Sequence, residues 1–265
     1  MHTGRPRPDT PASAPVVSAA RGGRHLIVPA AGRGTRLGSA MPKVLVPVNG
    51  TPMLRRVLDL HAPWIVRAIV VARPADADAV GACAGAADIP TEVVLQEMPT
   101  GMLDAILMGA AAAQVHGPAR VWITWGDQIA VQTATLDRLA AVEHDSAVAL
   151  PTVAQQNPYI HFARDSAGRI ARVLQRREGD EMPPVGESDV GVFSLSASAC
   201  FNELPRYAAD TGPAASTGER NFLPFIAWMA ARDTVVTCPC TDPREAIGVN
   251  TPEDLAAVAA YLASR

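Results

Sequence analysis

Short apolar runs recur along this chain, separated by longer stretches whose apolar positions return every three or four residues. The runs are HLIVPA (25–30), VRAIVVA (66–72), TEVVLQ (91–96), RVWITW (120–125) and SAVALP (146–151). The first four are nearly continuous in apolar residues, the pattern of parallel strands covered on both faces. Between the runs, TPMLRRVLDLHA (51–62), PADADAVGACAGAA (74–87), GMLDAILMGAAAAQV (101–115) and TATLDRLAAVEHD (133–145) carry helical periodicity. Strand followed by helix, repeated four times, predicts an α/β domain with a doubly wound, mostly parallel central sheet, helices on both faces and right-handed crossovers.

The second half changes character. YIHFARD (159–165), RIARVLQRRE (169–178) and SDVGVFSLS (188–196) read as strands separated by turns at Asp165–Gly168 and Gly179–Gly186. They predict a smaller antiparallel or mixed β-rich insert that forms one wall of a pocket. Helices are expected at SASACFNELPRYA (196–208), GERNFLPFIAWMAAR (218–232) and TPEDLAAVAAYLA (251–263), with a strand TVVTCPC (234–240) between the last two. No internal repeat or linker breaks the pattern, so residues 24–265 are expected to form one domain. Residues 1–23 are rich in Pro, Ala, Ser and Arg with a single acid, Asp9, and too poor in apolar surface to offset the entropy of ordering. They read as a disordered arm, with a transit peptide as the alternative.

Composition narrows the function classes. Hydrophobic content of 48% and a net charge of −3 describe a globular chain with no basic footprint for nucleic acid. No apolar run approaches the roughly 18 residues needed to span a bilayer. The four cysteines, Cys83, Cys200, Cys238 and Cys240, lack zinc or redox spacing, and the six histidines do not cluster. They read as thiols in a reducing cytoplasm, and any metal would have to be held by oxygen. The 23 basic residues include a single lysine, Lys43.

That lysine lies close to the most suggestive loop. The first strand runs into Ala30-Ala31-Gly32-Arg33-Gly34-Thr35-Arg36, where small residues let backbone N–H groups approach a phosphate at the carboxyl edge of the sheet. Leu37 stands where a dinucleotide-binding G-x-G-x-x-G would need glycine, and Lys43 is not followed by the Ser or Thr of a P-loop. Arg36 offers a fork of donors to phosphate, and Lys43 a compact point charge.

From Pro29 to Leu54 the chain reads PAAGRGTRLGSAMPKVLVPVNGTPML. This stretch resembles the signature of the sugar-phosphate nucleotidylyltransferases. VVLQEMPTGMLDAI resembles that family's base-reading segment, with Met102 where Thr is usual; WITWGDQ resembles its metal-carboxylate strand; AIGVNTPEDL resembles its second metal-ligand element; GERNFLPFIAWM resembles the segment in which a Glu opens a helix beside the sugar. The resemblance covers about residues 25 to 260. It implies a Rossmann-like domain that moves a nucleoside monophosphate from an NTP to a phosphorylated acceptor with Mg²⁺, releasing pyrophosphate. It further implies that Ala30, Ala31, Gly32, Gly34, Thr35, Arg36, Lys43, Gln96 and Gly101 bind the nucleotide. Arg36, Lys43 and Asp127 would carry catalysis, and Asp127 with Asn250 would hold the metal. Mg²⁺ prefers oxygen and keeps several waters, so one carboxylate and one amide oxygen suffice beside phosphates.

The acceptor side departs from the pattern. Hexosamine-handling members show Y-G-(R/H), V-E-x-K and N-T-G; the corresponding places here are Tyr159-Ile160-His161, Leu174-Gln175-Arg176-Arg177 and Asp189-Val190-Gly191. Tyr159, Gln175, Asp189 and Glu219 are the acceptor candidates, for a substrate other than N-acetylglucosamine 1-phosphate. The end of the chain near residue 265 leaves no length for the left-handed β-helix of bifunctional members. The Ala-Ala-Gly turn resembles pyrimidine-using branches, so UTP or CTP leads. The isoprenoid cytidylyltransferases share the PAAG spelling, but their D-A-A-R-P element is absent where WGDQIAV stands. The expected partners are an NTP and a small phosphorylated acceptor, with no nucleic acid or membrane, and a homo-oligomer is compatible. The alternatives are a cytidylyltransferase for a non-sugar phosphorylated alcohol (phosphocholine, a cyclitol phosphate or an isoprenoid precursor) and a catalytically silent nucleotide sensor.

Overall fold

The structure, a computed structural model, describes residues 23–32, 34, 37–39, 41–98 and 100–265. The expected N-terminal arm lies outside the described residues except for Gly23, whose carbonyl accepts the Ala119 N–H. Arg33, Thr35, Arg36, Ala40 and Pro99 also lie outside them.

Among the described residues the main sheet has eight strands. Four of the predicted runs form its parallel half: β1 (Arg24–Pro29), β4 (Arg67–Ala72), β5 (Thr91–Leu95) and β6 (Arg120–Thr124). They lie in the order β6-β1-β4-β5. The chain therefore winds outward from β1 through β4 to β5 and then returns to the other side of β1. That reversal opens a crevice at the carboxyl ends of β1 and β6, where open α/β sheets bind ligands. A short hairpin of β2 (Pro47–Val48) and β3 (Thr51–Pro52) precedes helix α1 (Met53–His61).

The mixed half is built around β7 (Val148–Gln156). One edge of β7 takes β12 (Val235–Pro239) in parallel, and the other is shared by β11 (Val192–Ser196) near its start and β10 (Val185–Asp189) near its end, both antiparallel. β11 also pairs antiparallel with β6, closing the sheet. Only β8 (Ile160–Arg164) and β9 (Ile170–Gln175) stay apart, as a two-stranded antiparallel sheet. The run expected to be one strand of the insert, SDVGVFSLS, is instead broken at Val190-Gly191 and belongs to the central sheet. The buried side chains of Val192, Phe193, Ser194 and Leu195 explain why: such a segment needs cover on both faces.

Alternation along the parallel strands divides the core into two layers. Leu26, Val28, Ala68, Val70 and Trp122 face α1, α2 (Ala77–Gly85), α4 (Thr133–Val142) and α7 (Pro252–Ala263). Ile27, Ile69, Val71, Val121 and Ile123 face α3 (Met102–Gln114), α5 (Leu204–Asp210) and α6 (Pro224–Ala230). Helix α6 is shorter than expected. Gly218 to Leu223 approach it as an irregular loop, and Pro224, which lacks an N–H to donate, stands at its first position.

At the opposite, amino-terminal edge of the sheet, Glu143 is 1% exposed, accepts hydrogen bonds from three side chains and forms an ion pair with a fourth. Arg24 bonds one carboxylate oxygen, and Trp122 Nε1 (2.6 Å) and the Ser194 hydroxyl bond the other, with Arg120 at 3.5 Å. The group ties the end of α4 to β1, β6 and β11. Replacing Glu143 with Ala leaves two buried or half-buried arginines without their counter-charge, and we expect a loss of about 3–5 kcal/mol in urea unfolding with the KM for nucleotide unchanged.

Candidate active site

The carboxyl end of β1 turns through Ala30, Ala31 and Gly32, with the Ala30 N–H still bonded to the Val71 carbonyl at 2.7 Å. A Cβ placed on Gly32 would meet no described protein atom within 4 Å. Protein packing does not demand a glycine there. Gly34 is different: its φ is +59°, and a Cβ would fall 2.5 Å from Lys43 Cβ. The loop therefore needs glycine at 34 so that the aliphatic stem of Lys43 can lie across it.

Lys43 opens a 3-10 turn, Lys43–Leu45, after Pro42. On the other side of this turn, Gly126 lies so close that a Cβ would come within 2.6 Å of Val44 Cγ1. The lysine turn is thus wedged between two glycines, one from the loop after β1 and one from the loop after β6. The outcome is a three-way contact: Lys43 Nζ donates to Asp127 Oδ2 and, at 2.9 Å, to Asn250 Oδ1. Both Lys43 and Asp127 side chains are 15% exposed.

The Asn250 oxygen is oriented from behind, and the loops carrying both oxygens are tied together. Asn250 Nδ2 donates to the Gly248 carbonyl at 3.2 Å, which turns Oδ1 toward Lys43. Thr251 caps α7 in a capping box with Asp254, so Asn250 is not spent as the cap. The Asp127 and Asn250 loops are laced together by Val249 N–H to the Asp127 carbonyl (3.3 Å) and Gln128 Nε2 to the Glu245 carbonyl (2.5 Å). A third link is the Gln132 N–H to Glu245 Oε2 at 2.7 Å, with Glu245 1% exposed. A Cβ on Gly248 would stand 3.4 Å from Asp127 Oδ2, Gln128 Oε1 and Asn250 Nδ2 alike. The described residues contain no group of three or more His, Cys, Asp or Glu that could hold a metal. One carboxylate and one amide oxygen, already converged on a cation, instead suit a hard ion that keeps waters and phosphates in its shell.

These groups border a cavity of about 200 Å³. Ala30, Ala31, Gly32, Lys43, Gln96, Gly101, Asp127 and Glu219 line it, so eight of the sequence candidates from five separate loops share one space. Gln96 is 4% exposed, and its Nε2 has no hydrogen-bond partner. Gly101 has φ +134° and presses against the backbone of Arg220, where a Cβ would meet N and O at 2.5 Å. Backbone bonds from Arg220 N–H to Thr100 (3.0 Å) and from Leu103 N–H to Arg220 (3.1 Å) complete this clamp. The clamp carries Glu219 into the cavity, where it pairs with Arg177 at 2.8 Å. Glu219 lies in the loop before α6 and does not open the helix, which corrects the expectation for that segment. Trp125 also lines the cavity and packs on Phe193 and Phe222.

The other described acceptor candidates stand off the cavity wall. Arg36 and Thr35 lie outside the described residues. Tyr159 is 48% exposed and is held by its carbonyl, which accepts the Arg176 N–H at 3.0 Å. Gln175 is buried at the end of β9, its Oε1 taken by Asn221 Nδ2 at 2.5 Å. Asp189 is half-buried in the turn that breaks β10 from β11, with Oδ1 accepting the Gly191 N–H at 2.7 Å. Burial pushes its carboxyl up to about 6, against the opposing pull of that N–H. Sequence reasoning missed Glu245, Trp125 and Asn221. Trp125 adjoins the Gly-Asp pair and could have been suspected, whereas Glu245 and Asn221 carry no local signal.

An open α/β sheet with a glycine-rich turn, a lysine and two converged ligand oxygens at its switch point defines a nucleotide-handling class. Residues 26–212 match the model of the MobA-like NTP transferase domain. The chain belongs to that family and is a nucleotidyltransferase. It is 29% identical over 245 residues to the bifunctional protein GlmU of Nitratidesulfovibrio vulgaris (strain DP4), covering 90% of this chain and 52% of the relative. The bifunctional protein GlmU of Azoarcus sp. (strain BH72) is 31% identical over 236 residues, 88% of this chain and 50% of the relative. That of Brevibacillus brevis is 28% identical over 247 residues, 91% and 52%. The chain spans about half the length of the curated relatives it matches. No helix of the described residues is long and apolar enough to cross a membrane.

Two variants test the local supports. Glu245→Ala removes the acceptor of the Gln132 N–H, and we expect a loss of about 1–3 kcal/mol in denaturant unfolding. Because the same change loosens the Asp127 and Asn250 loops, kcat should fall more than the KM for NTP rises. For Asp189, a folded pKa of about 6 lies above the ordinary 3.8, so the folded chain binds the extra proton between these values. Its stability therefore falls as pH rises through that window. Asp189→Asn keeps an acceptor for Gly191 and removes the charge, so its melting temperature should exceed the parent's at pH 8 and match it at pH 4. A gain of equal size at both values would contradict this assignment.

Proposed function

We propose that the chain transfers a nucleoside monophosphate from UTP or CTP to a sugar 1-phosphate, or a sugar-like phosphate, with Mg²⁺ and release of pyrophosphate. The observation that carries this reading is the convergence of Asp127 and Asn250 oxygens on Lys43 at the wall of a cavity floored by the Ala30-Ala31-Gly32 turn. A phosphate oxygen of the acceptor attacks the α-phosphorus, a new P–O bond forms, and the bond to the β-phosphate breaks with the electron pair leaving on pyrophosphate. The reaction brings anions together, so catalysis is positioning and charge neutralisation.

Asp127 and Asn250 are the residues that would hold Mg²⁺, which when bound would neutralise the phosphates and orient the α-phosphate. Lys43 adds a point charge beside the same phosphates. The open space over Gly32 lets the backbone approach a phosphate that a side chain would displace. Gln96 offers its unpartnered Nε2 to a base carbonyl, which both uracil and cytosine present. Arg36 and Thr35 complete the phosphate loop as the family resemblance suggests. We place the reaction in the cytoplasm.

On the acceptor side, the Arg177–Glu219 pair and Trp125 face the cavity, while Gln175 is engaged by Asn221 and Tyr159 turns outward. This supports an acceptor other than N-acetylglucosamine 1-phosphate and keeps a non-sugar phosphorylated alcohol as the second reading. The deciding assay incubates the protein with Mg²⁺, each NTP and a panel of phosphorylated sugars and alcohols, following pyrophosphate. We expect release with UTP or CTP and one acceptor class, and a fall of about 10²-fold or more in kcat for Asp127→Asn. Absence of release with every pair would favour a nucleotide sensor, and full turnover by Asp127→Asn would remove the metal assignment.

A further inference from the structure

Resting on that reading, we propose that Lys43 is an exchangeable internal counter-ion: its ammonium occupies the point between Asp127 and Asn250 that the divalent cation takes, and the two compete for it. Two of its three donors go to Asp127 Oδ2 and Asn250 Oδ1, oxygens that reach this point from separate loops. A hard divalent ion bound at 2.0–2.1 Å to the same pair of oxygens cannot share the space with an ammonium already within hydrogen-bond distance of both. Two cations at that separation also repel strongly in a half-buried site.

Several features suit exchange better than a permanent ion pair. The stem of Lys43 crosses a glycine, with its Cβ against Gly34, which has no side chain of its own to lock that stem in place. The head lies at the edge of the cavity, and the space above Gly32 on the same wall is clear of described protein atoms within 4 Å of a built Cβ. Among the described residues the other cation lining the cavity, Arg177, is held by Glu219 at 2.8 Å. Of these two cations, Lys43 is the one placed to follow a phosphate into that space. The Asn250 amide is fixed from behind by Gly248, and the loops carrying both oxygens are tied together through Glu245, Gln128 and Val249, so the cage keeps its shape as one cation replaces another.

A lysine rather than an arginine fits this part. An ammonium is a compact, strongly hydrated point charge on a flexible stem, interchangeable with a small ion, whereas a guanidinium is a planar fork that would hold the carboxylate through two bonds. The consequence is coupling: a metal arriving alone must displace Lys43 into water, while a metal arriving with a triphosphate supplies Lys43 with new oxygen partners. Metal affinity then depends on nucleotide, and nucleotide affinity on metal by the same factor.

The test is Mn²⁺ binding to the nucleotide-free full chain, read by the loss of the free-ion electron paramagnetic resonance signal. Lys43→Met should bind Mn²⁺ at least tenfold more tightly than the parent, and the double variant Lys43→Met/Asp127→Asn should lose the gain. Lys43→Gln, which retains an amide donor, should show the same direction and serves if the methionine variant folds poorly. Mn²⁺ should also raise the melting temperature of Lys43→Met more than that of the parent. Affinity of the Lys43 variants equal to or weaker than the parent's, or no binding by any of them, overturns the proposal. Nucleotidyl transfer that still depends on Asp127 would then leave the functional reading intact and remove only the counter-ion role.

Discussion

Three loops that are remote in sequence meet where the Lys43 ammonium lies between the Asp127 carboxylate and the Asn250 amide. Each loop is short of a reason to adopt its conformation until the other two are present. The lysine turn needs Gly34 beneath it and Gly126 beside it; the Asp127 turn needs the Glu245 carboxylate and carbonyl to bind its flanking N–H groups; Asn250 needs Gly248 to orient its amide. The contact is possible only because the sheet reverses its strand order between β1 and β6, which sets the ends of those two strands side by side. Topology thus supplies the place, glycine supplies the clearance, and charge supplies the attraction.

The glycines at this edge divide by what stands over them. Gly34, Gly101 and Gly126 are each within 2.6 Å of another part of the chain when a Cβ is built, so packing within the protein accounts for them. Gly32 has no described atom within 4 Å of a Cβ, so packing among the described residues does not account for it. A glycine-rich loop read as a single phosphate cradle conflates these roles. Gly32, Gly101 and Gly126 all line the cavity, and the last two, with Gly34, also let neighbouring chain pack close against them.

Much of this was legible in the chain and some was not, for reasons that differ. The parallel strands were visible because burial on both faces leaves an unbroken apolar run, as in RAIVVA and RVWIT, where alternate residues feed opposite layers. β11 was misplaced into the insert because its run was read continuously with β10, and only the φ of +72° at Gly191 marks the break. Helix α6 was extended too far toward Glu219 because Asn221, Phe222 and Leu223 fit helical spacing, while the Asn221 carbonyl accepts the Tyr207 hydroxyl and its side chain accepts the Leu223 N–H. Motif spacing singled out Lys43, Asp127 and Asn250, but nothing in that spacing says that the first would lie on the other two. Glu245 escaped notice because a buried carboxylate that accepts the Gln132 backbone N–H in another loop is a tertiary fact with no local pattern.

The acceptor side follows a different logic from the nucleotide side. The nucleotide candidates sit on loops at the ends of strands fixed in the sheet, so the fold places them wherever the side chains differ. Glu219 and Arg177 instead come from a loop held by the Gly101–Arg220 clamp and from the turn after β9, and they pair at the cavity wall, with Glu178 also beside Arg177. Gln175 is drawn away from that space by Asn221, and Asp189 is folded under the turn that lets β11 join the central sheet. Gln175 and Asp189, aligned to a substrate-binding role, thus make hydrogen bonds within the wall itself. On the proposed reading, such a wall would select its acceptor by shape and by the Arg177–Glu219 pair, so that substrate identity is set apart from reaction class.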